Sequence, residues 1–323
     1  MLGLLLGRLL QLPLILGVIF GLTFALAWVV PGDPFSQPDR QLPVEVGEAL
    51  KRRYDMHDPG AFAWSYLRRL AQGDLGPTFS DRDRSVNQVL AERLPVSVSV
   101  GLAALVIALF LGLAAGAAGA VRPGSGWDAG ATVIALAGVS LPSFVTATFL
   151  LILLAHALDW VALGDWDWPG WRVWTAAWWR GARDLARVLL PPALALSLLP
   201  AAYIARLTRM GLAEVLASDF IRTARAKGVG PASVLMRHAM KVAFLPVLSF
   251  LGPAAATTLT GSFVVERVFE VPGLGRDFVN AVVTKDQFLI LGLVMVYSLM
   301  LVLFNLAVDL AYAWVDPRID ASA

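Results

Sequence analysis

The stretch Val96-Ser97-Val98-Ser99-Val100-Gly101-Leu102-Ala103-Ala104-Leu105-Val106-Ile107-Ala108-Leu109-Phe110-Leu111-Gly112-Leu113-Ala114-Ala115-Gly116-Ala117-Ala118-Gly119-Ala120-Val121 contains no charged residue. An α-helix rises about 1.5 Å per residue and the hydrocarbon core of a bilayer is about 30 Å thick, so about 20 apolar residues cross it. This run is long enough to span. Gly112, Gly116 and Gly119 lie among alanines, and small residues so spaced let helix backbones approach closely in lipid, where packing drives association.

Five further segments pass the same test: Leu9–Val30, Ala129–Leu158, Val188–Ala205, Val242–Val265 and Phe288–Val308. Of the 323 residues, 58% are apolar and 15% charged, and the mean hydropathy is +0.69. A soluble domain carries about 25% charged residues. The expected fold is therefore all-α, a polytopic transmembrane bundle of about six spans. No cysteine is present, which excludes disulfides, thiolate metal sites and a cysteine nucleophile. Arg8 and Ala25-Leu26-Ala27 give the first span some likeness to a signal peptide, but its apolar run is longer than such a segment has, and an uncleaved anchor is expected.

Lysine and arginine placement sets orientation. Between Arg206 and Lys241 lie Arg206, Arg209, Arg222, Arg225, Lys227, Arg237 and Lys241, against Glu214 and Asp219. This connector is expected in the cytoplasm, with both termini on the same side and Pro31–Pro95 outside. Residues 1–30 then form the N-terminus and first span, 31–95 an extracytoplasmic helical segment, 96–315 the core of spans two to six, and 316–323 a cytoplasmic tail.

In the outer segment, Val44–Tyr54 and Phe62–Leu70 have helical spacing and are separated by Asp58-Pro59-Gly60. Ser85 is placed to cap a helix that continues through Leu94 into the second span. A second outer stretch, 159–186, holds Trp160, Trp166, Trp168, Trp171, Trp174, Trp178 and Trp179. Tryptophan favours the membrane–water interface, so a helix lying on the outer surface is expected; an aromatic peptide-binding patch is the alternative.

An ion-coupled carrier places ionisable residues near the bilayer midplane. The six span ranges have no Asp, Glu, Lys or Arg in their cores. His156 and Asp309 sit near span ends and read as interfacial residues. Gly228-Val229-Gly230 and Gly273-Leu274-Gly275 lack the lysine and strand context of a phosphate-binding loop, and no metal or nucleophile-elbow pattern is present. The chain is expected to perform no chemistry and to bind no cofactor and no nucleic acid. Any pumping must draw its energy from a partner.

The connector is where a partner could push. Ser218 and Asp219 are good N-caps, and Phe220, Ile221, Arg222, Thr223, Ala224, Arg225, Ala226 and Lys227 make two helical turns with basic residues towards the C-terminal end. Gly228 suits the left-handed residue that closes a helix. A second helix is expected from Pro231 through Lys241. One reading is a rigid lever with Phe220 and Ile221 offered to a socket; the other is a basic loop that obeys the positive-inside rule.

The run from Glu214 to Gly228, followed by Arg237-His238-Ala239, resembles the cytoplasmic coupling loop of the peptide-importer ABC permeases. The similarity continues through Leu245-Pro246-Val247, Val264-Val265-Glu266-Arg267-Val268-Phe269, Pro272-Gly273-Leu274-Gly275, Val308-Asp309-Leu310-Ala311-Tyr312 and Asp316-Pro317-Arg318. Pro31-Gly32-Asp33-Pro34-Phe35 is similar to the family's first outer loop. Gly73-Asp74-Leu75-Gly76-Pro77-Thr78-Phe79 with Ser85-Val86-Asn87 resembles the B-type permease of oligopeptide systems. Arg222, Thr223 and Ala224 stand where the general import loop has Glu-Ala-Ala, a variation that peptide-type permeases share. The tryptophan-rich stretch has no counterpart in that pattern.

The resemblance implies the type I ABC importer permease architecture in a bacterial inner membrane. It implies a heterodimer with a second, homologous permease, two cytoplasmic ATPase subunits that bind ATP and magnesium, and an extracytoplasmic peptide-binding protein. Residues 218–228 would be the coupling helix and an oligopeptide the substrate. A dipeptide or a nickel complex is the alternative cargo, and an autonomous channel the competing class.

Overall fold

The computed structural model describes residues 2–32, 35–37, 40–41, 44–80, 84–154, 182–259 and 263–315. Helix α1 (Leu2–Val29) is followed by a two-stranded antiparallel hairpin, β1 (Ser36–Gln37) and β2 (Arg40–Gln41), which the sequence reading did not anticipate. Helices α2 (Val44–Arg53) and α3 (Pro59–Leu70) come next. Asp58 caps α3, its Oδ1 accepting the Gly60 N–H at 2.8 Å, and Pro59 occupies the first turn where no donor is needed.

Helix α4 (Val86–Val121) is one unbroken element, as expected from a capped helix running into the second span. Ser85 and Gln88 form a reciprocal capping box: the Gln88 N–H donates to the Ser85 hydroxyl and the Ser85 N–H to the Gln88 side chain. Helix α7 (Ala182–Leu216) packs along α4 more extensively than any other described pair. Glycine explains the fit. A Cβ on Gly112 would lie 2.6 Å from the Ile204 side chain, and one on Gly116 would lie 2.5 Å from the Ala205 carbonyl. The close approach expected of these glycines is thus made, against the fourth span.

Helix α8 (Asp219–Ala226) follows α7. Then α9 (Pro231–Ser233) passes through a π-helical turn at Val234–Ala239 into α10 (Met240–Leu259). The helix expected from Pro231 to Lys241 is therefore no separate element but the start of the fifth span. Helices α11 (Phe263–Val268), α12 (Leu274–Thr284) and α13 (Gln287–Val315) complete the described chain.

Five described helices are long and apolar enough to cross a membrane: Leu10–Val29, Val86–Val121, Val188–Leu216, Pro231–Leu259 and Gln287–Tyr312. The third expected span departs from expectation. Instead of one helix from Ala129 to Leu158, α5 (Gly126–Ser140) and α6 (Ser143–Ile152) meet at a bend of 109°. Pro142 causes it: the ring removes the N–H that the Gly138 carbonyl would accept, and Pro142 itself is extended. The fourth span runs past Ala205 to Leu216, because Arg206 and Arg209 continue the helix rather than end it. The fifth stops at Leu259, and Phe263–Val265 belong to α11. The tryptophan cluster Trp160–Trp179, His156 and the tail 316–323 lie outside the described residues; Ala182 to Ala186 form the first turn of α7.

At one end, α2, α3 and the loop Leu75–Phe79 seal the tops of α1 and α13 through aromatic rings. Phe288, the second residue of α13, has ring neighbours Tyr54, Phe62, Tyr66 and Phe79 at 5.1 to 6.0 Å. Phe20 stacks on Tyr66, and Phe24 on Phe62. Gly76, at φ +90°, brings its backbone against the Phe288 ring, where a side chain would collide. Helices α2 and α3 with the loop Leu75–Phe79 thus form a small lid anchored to the first and last spans. Tyr66 is fully buried there, and burial pushes its hydroxyl well above the usual range.

Candidate coupling site

Helix α8 sits at the opposite end, between the last turn of α7 and α9. Ser218 occupies the N-cap position with extended backbone, but its hydroxyl donates to the Val215 carbonyl at 2.5 Å instead of capping. The expected serine cap is thereby corrected: the hydroxyl satisfies the end of the preceding helix, and Asp219, the first helical residue, supplies the negative charge that an N-terminus favours. Asp219 and Arg222 form an exposed pair at 3.5 Å, which contributes little. The Thr223 hydroxyl donates to the Asp219 carbonyl at 2.9 Å.

The C-terminal end is built as the sequence predicts. Gly228 has φ +78°. Its N–H donates to the Arg225 carbonyl at 3.0 Å, and the Val229 N–H reaches back to the Ala224 carbonyl at 3.2 Å. Those two bonds are a Schellman closure. Val229 packs on the cluster that contains Ala224, which supplies the apolar contact usual for that motif.

Phe220 and Ile221 part company. Ile221 is fully buried among Ala120, Leu212, Val234, Ala239 and Ala243, whereas Phe220 is 47% exposed. The expectation that both face a socket is corrected for Ile221. Residues 221 and 224 lie one turn apart on the buried face, so Ile221 fastens α8 to the ends of α4, α7 and α10. Phe220 remains as a large apolar ring on the outside, with Arg222, Arg225 and Lys227 also exposed.

A second anchor near this end was not read from the sequence. Asp128, on the first turn of α5, is buried, and Arg209 of α7 grips it with two bonds, Nε to Oδ1 at 2.5 Å and Nη2 to Oδ2 at 2.9 Å. The Gly124 N–H also donates to Asp128 Oδ2 at 2.9 Å. The two residues flank expected spans that were bounded at Ala129 and Ala205. Only the tertiary pairing of α5 with α7 reveals that they are partners.

At the far end, the motif Val264–Phe269 with Pro272–Gly275 acquires a physical role. Glu266 is buried; its Oε1 accepts the Ser97 hydroxyl at 2.8 Å and its Oε2 accepts the Arg276 N–H at 3.1 Å. The carboxylate sits on the N-terminus of α12. Gly273 and Gly275 leave room for it, since a Cβ at either would press on its oxygens. Asp286 is also fully buried. It caps α13 through the Leu289 N–H at 3.1 Å and holds the lid loop through Thr78 Oγ1 at 2.6 Å, Phe79 N–H at 2.6 Å and Ser80 N–H at 2.9 Å.

Between these ends runs a cleft of about 430 Å³, walled by α4, α5 and α7, with Gly116, Thr132, Val139, Tyr203 and Arg206 among its lining residues.

The match to known proteins covers most of the chain. Residues 94–321 match the family described as binding-protein-dependent transport system inner membrane component. The oligopeptide transport system permease protein OppB of Escherichia coli is 39% identical over 298 residues, covering 92% of both chains. The dipeptide transport system permease protein DppB of Bacillus subtilis is 38% identical over 298 residues, covering 92% of this chain and 91% of its own. DppB of Lactococcus lactis is 34% identical over 319 residues and 98% of both chains. Apolar spans, a capped helix exposed at one bundle end and this full-length similarity have one common explanation: the chain is a multi-pass permease that belongs to the family of inner membrane components of binding-protein-dependent transport systems.

Proposed function

We propose that the chain is one of two permeases in an ATP-driven importer of oligopeptides. The observation that carries this reading is α8: a closed two-turn helix, fastened at Ile221 and Ala224, with Phe220 exposed. Such a helix can receive a push from a nucleotide-dependent partner and pass it to α4, α7 and α10 together. In this reading the exposed side of Ser218–Gly228 meets a cytoplasmic ATPase, the lid meets an extracytoplasmic peptide-binding protein, and a homologous permease completes the path. ATP and magnesium belong to the two ATPases. The basic residues from Arg206 to Lys241 support a cytoplasmic side for α8 and both termini.

Closing of the ATPases on ATP moves α8 and opens the spans outward; hydrolysis resets them. Peptides of varied side chain pass because span cores with few charges hold no strong ion pair for a particular residue. The names of the B. subtilis and L. lactis relatives favour a second cargo, a dipeptide. The test is reconstitution of the full complex in liposomes with its receptor and ATP. Labelled tri- to pentapeptides are expected to accumulate only when ATPase and receptor are both present. Dipeptide uptake alone would select the second cargo, and uptake without the ATPase would overturn the importer reading.

A further inference from the structure

Helix α5 ends in the middle of the membrane-crossing region. Gly138 lies against α7 where a Cβ would stand 3.1 Å from the Leu198 carbonyl and 3.2 Å from the Ala202 side chain. Leu198–Ala202 is near the centre of the apolar stretch Val188–Leu216. Beyond Gly138 the chain leaves the helix at Ser140, turns through Leu141-Pro142, and departs at 109° as α6. Non-helical backbone at that depth is tolerated only where protein or a water-filled cavity covers it, because lipid offers its polar groups no partner.

Among the described residues none covers the turn. Ser140, Leu141, Pro142 and Ser143 are all exposed. Pro142 has no N–H to offer the Gly138 carbonyl, and among the described residues no backbone donor closes on the carbonyls of Val139 and Ser140. Three backbone acceptors are therefore left without a backbone donor at mid-depth, beside the exposed Ser140 and Ser143. The flank of α5 next to them lines the 430 Å³ cleft: Val139 borders it directly, and so does Leu136, one helical turn before Ser140. The opposite wall carries Tyr203 and Arg206, exposed on α7. A tyrosine and an arginine on a spanning helix also need water or a polar neighbour rather than lipid.

We propose that the break at Ser140–Ser143 is a station on the translocation path, where the carbonyls of Gly138, Val139 and Ser140 and the hydroxyls of Ser140 and Ser143 accept and exchange hydrogen bonds with the main-chain N–H groups of a passing peptide. The inference rests on the peptide-import reading above. A broken helix near the midplane, with its unpaired backbone next to a cleft that Val139 lines, is the membrane solution for binding a polar solute without burying a charge. Main-chain recognition is blind to side chains, which a carrier of mixed peptides requires. A second copy of a spanning helix fits the turn less well, since its own N–H groups are consumed internally.

The chain has no native cysteine, so Ser140→Cys and Ser143→Cys in the assembled complex give clean probes, with Leu14→Cys on the exposed face of α1 as the comparison. Uptake of a labelled tripeptide is measured first without modification; failure there, in wild type as well, tells against peptide import itself. The complex is next treated with a membrane-impermeant methanethiosulfonate. Expected are labelling at 140 and 143, loss of tripeptide uptake on labelling, slower labelling when receptor, tripeptide and ATP are cycling, and no labelling at 14. A photoreactive residue at Leu141 is expected to cross-link the labelled tripeptide. Cross-linking of residue 141 to the second permease alone, or labelling of 140 and 143 only by a lipophilic maleimide, would overturn the proposal.

Discussion

The Ser97 hydroxyl donates to Glu266 Oε1 at 2.8 Å and itself accepts the Leu274 N–H at 2.9 Å. One serine on α4 thereby ties the motif on α11 to the first turn of α12. Burial pushes the Glu266 carboxyl upward, and the Ser97 hydroxyl with the N–H groups of Arg276 and Gly275 pulls against that shift without cancelling it.

A raised carboxyl pKa means that the fold favours the protonated acid. Its stabilisation is fully present below the unfolded value near 4.5 and is lost as pH rises through the raised one. Thermal melts in detergent are expected to show stability falling across that window, with a flatter profile in Glu266→Gln. The slope that remains in Glu266→Gln belongs to Asp277, raised foremost by burial despite Arg93 nearby; Asp277→Asn removes it. Glu266→Ala should lose about 1–3 kcal/mol at every pH, because Ser97 and the α12 N–H groups lose their acceptor. An unchanged melting profile in Glu266→Gln would refute this account.

Asp286 serves two elements at once, so its removal separates them. Asp286→Ala strands the Thr78 hydroxyl and the N–H groups of Phe79 and Leu289, and removes one of the acceptors of the Ser80 N–H. The cost is expected to be about 3 kcal/mol or more. Limited proteolysis should then cut within residues 35–80 while the spans stay intact. Protection equal to wild type would show that the aromatic contacts of Phe288 hold the lid unaided.

The α4–α7 seam predicts a contrast among glycines. Gly112→Val and Gly116→Val push a side chain into Ile204 and into the Ala205 backbone and should each cost about 1–3 kcal/mol. Gly21→Val, on α1 with nothing within 4 Å, should leave stability unchanged. Melting temperatures of the three variants check the contrast, and equal behaviour would count against close packing at the seam.

Coupling is testable at two residues with different roles. Gly228→Val places a β-branched residue at φ +78°, which costs about 1–3 kcal/mol of strain, and should reduce transport while the chain still inserts. Phe220→Ala leaves the fold intact, since Phe220 is exposed, and should leave ATP hydrolysis running without peptide uptake. Full uptake by both variants would exclude α8 as the coupling element.

Orientation follows from the same connector. Ala232→Cys, exposed on α9, should react with an impermeant thiol reagent only after the cells are opened. Reaction in intact cells would reverse the topology.

Much of the fold was legible because its signals are local. A span needs only length and apolarity, a helix cap only Ser85, and the close of α8 only a glycine free to take positive φ at 228. The family motifs were visible on the same terms, as strings of neighbours. What the sequence could not reveal were relations that depend on two distant segments meeting. Ser97 with Glu266, Thr78 with Asp286 and Asp128 with Arg209 are each polar residues whose partners are chosen by helix packing. The same holds for Ile221, apolar like Phe220 beside it, yet turned inward because successive helical residues point about 100° apart and α8 lies on α4 and α10. Pro142 could be read as a breaker, but the bend to 109° and the exposure of the turn belong to the packing of α5 and α6 on α7. Composition and periodicity determined that the chain spans a membrane; the tertiary structure decided which of its few polar groups lock the bundle and which are left exposed.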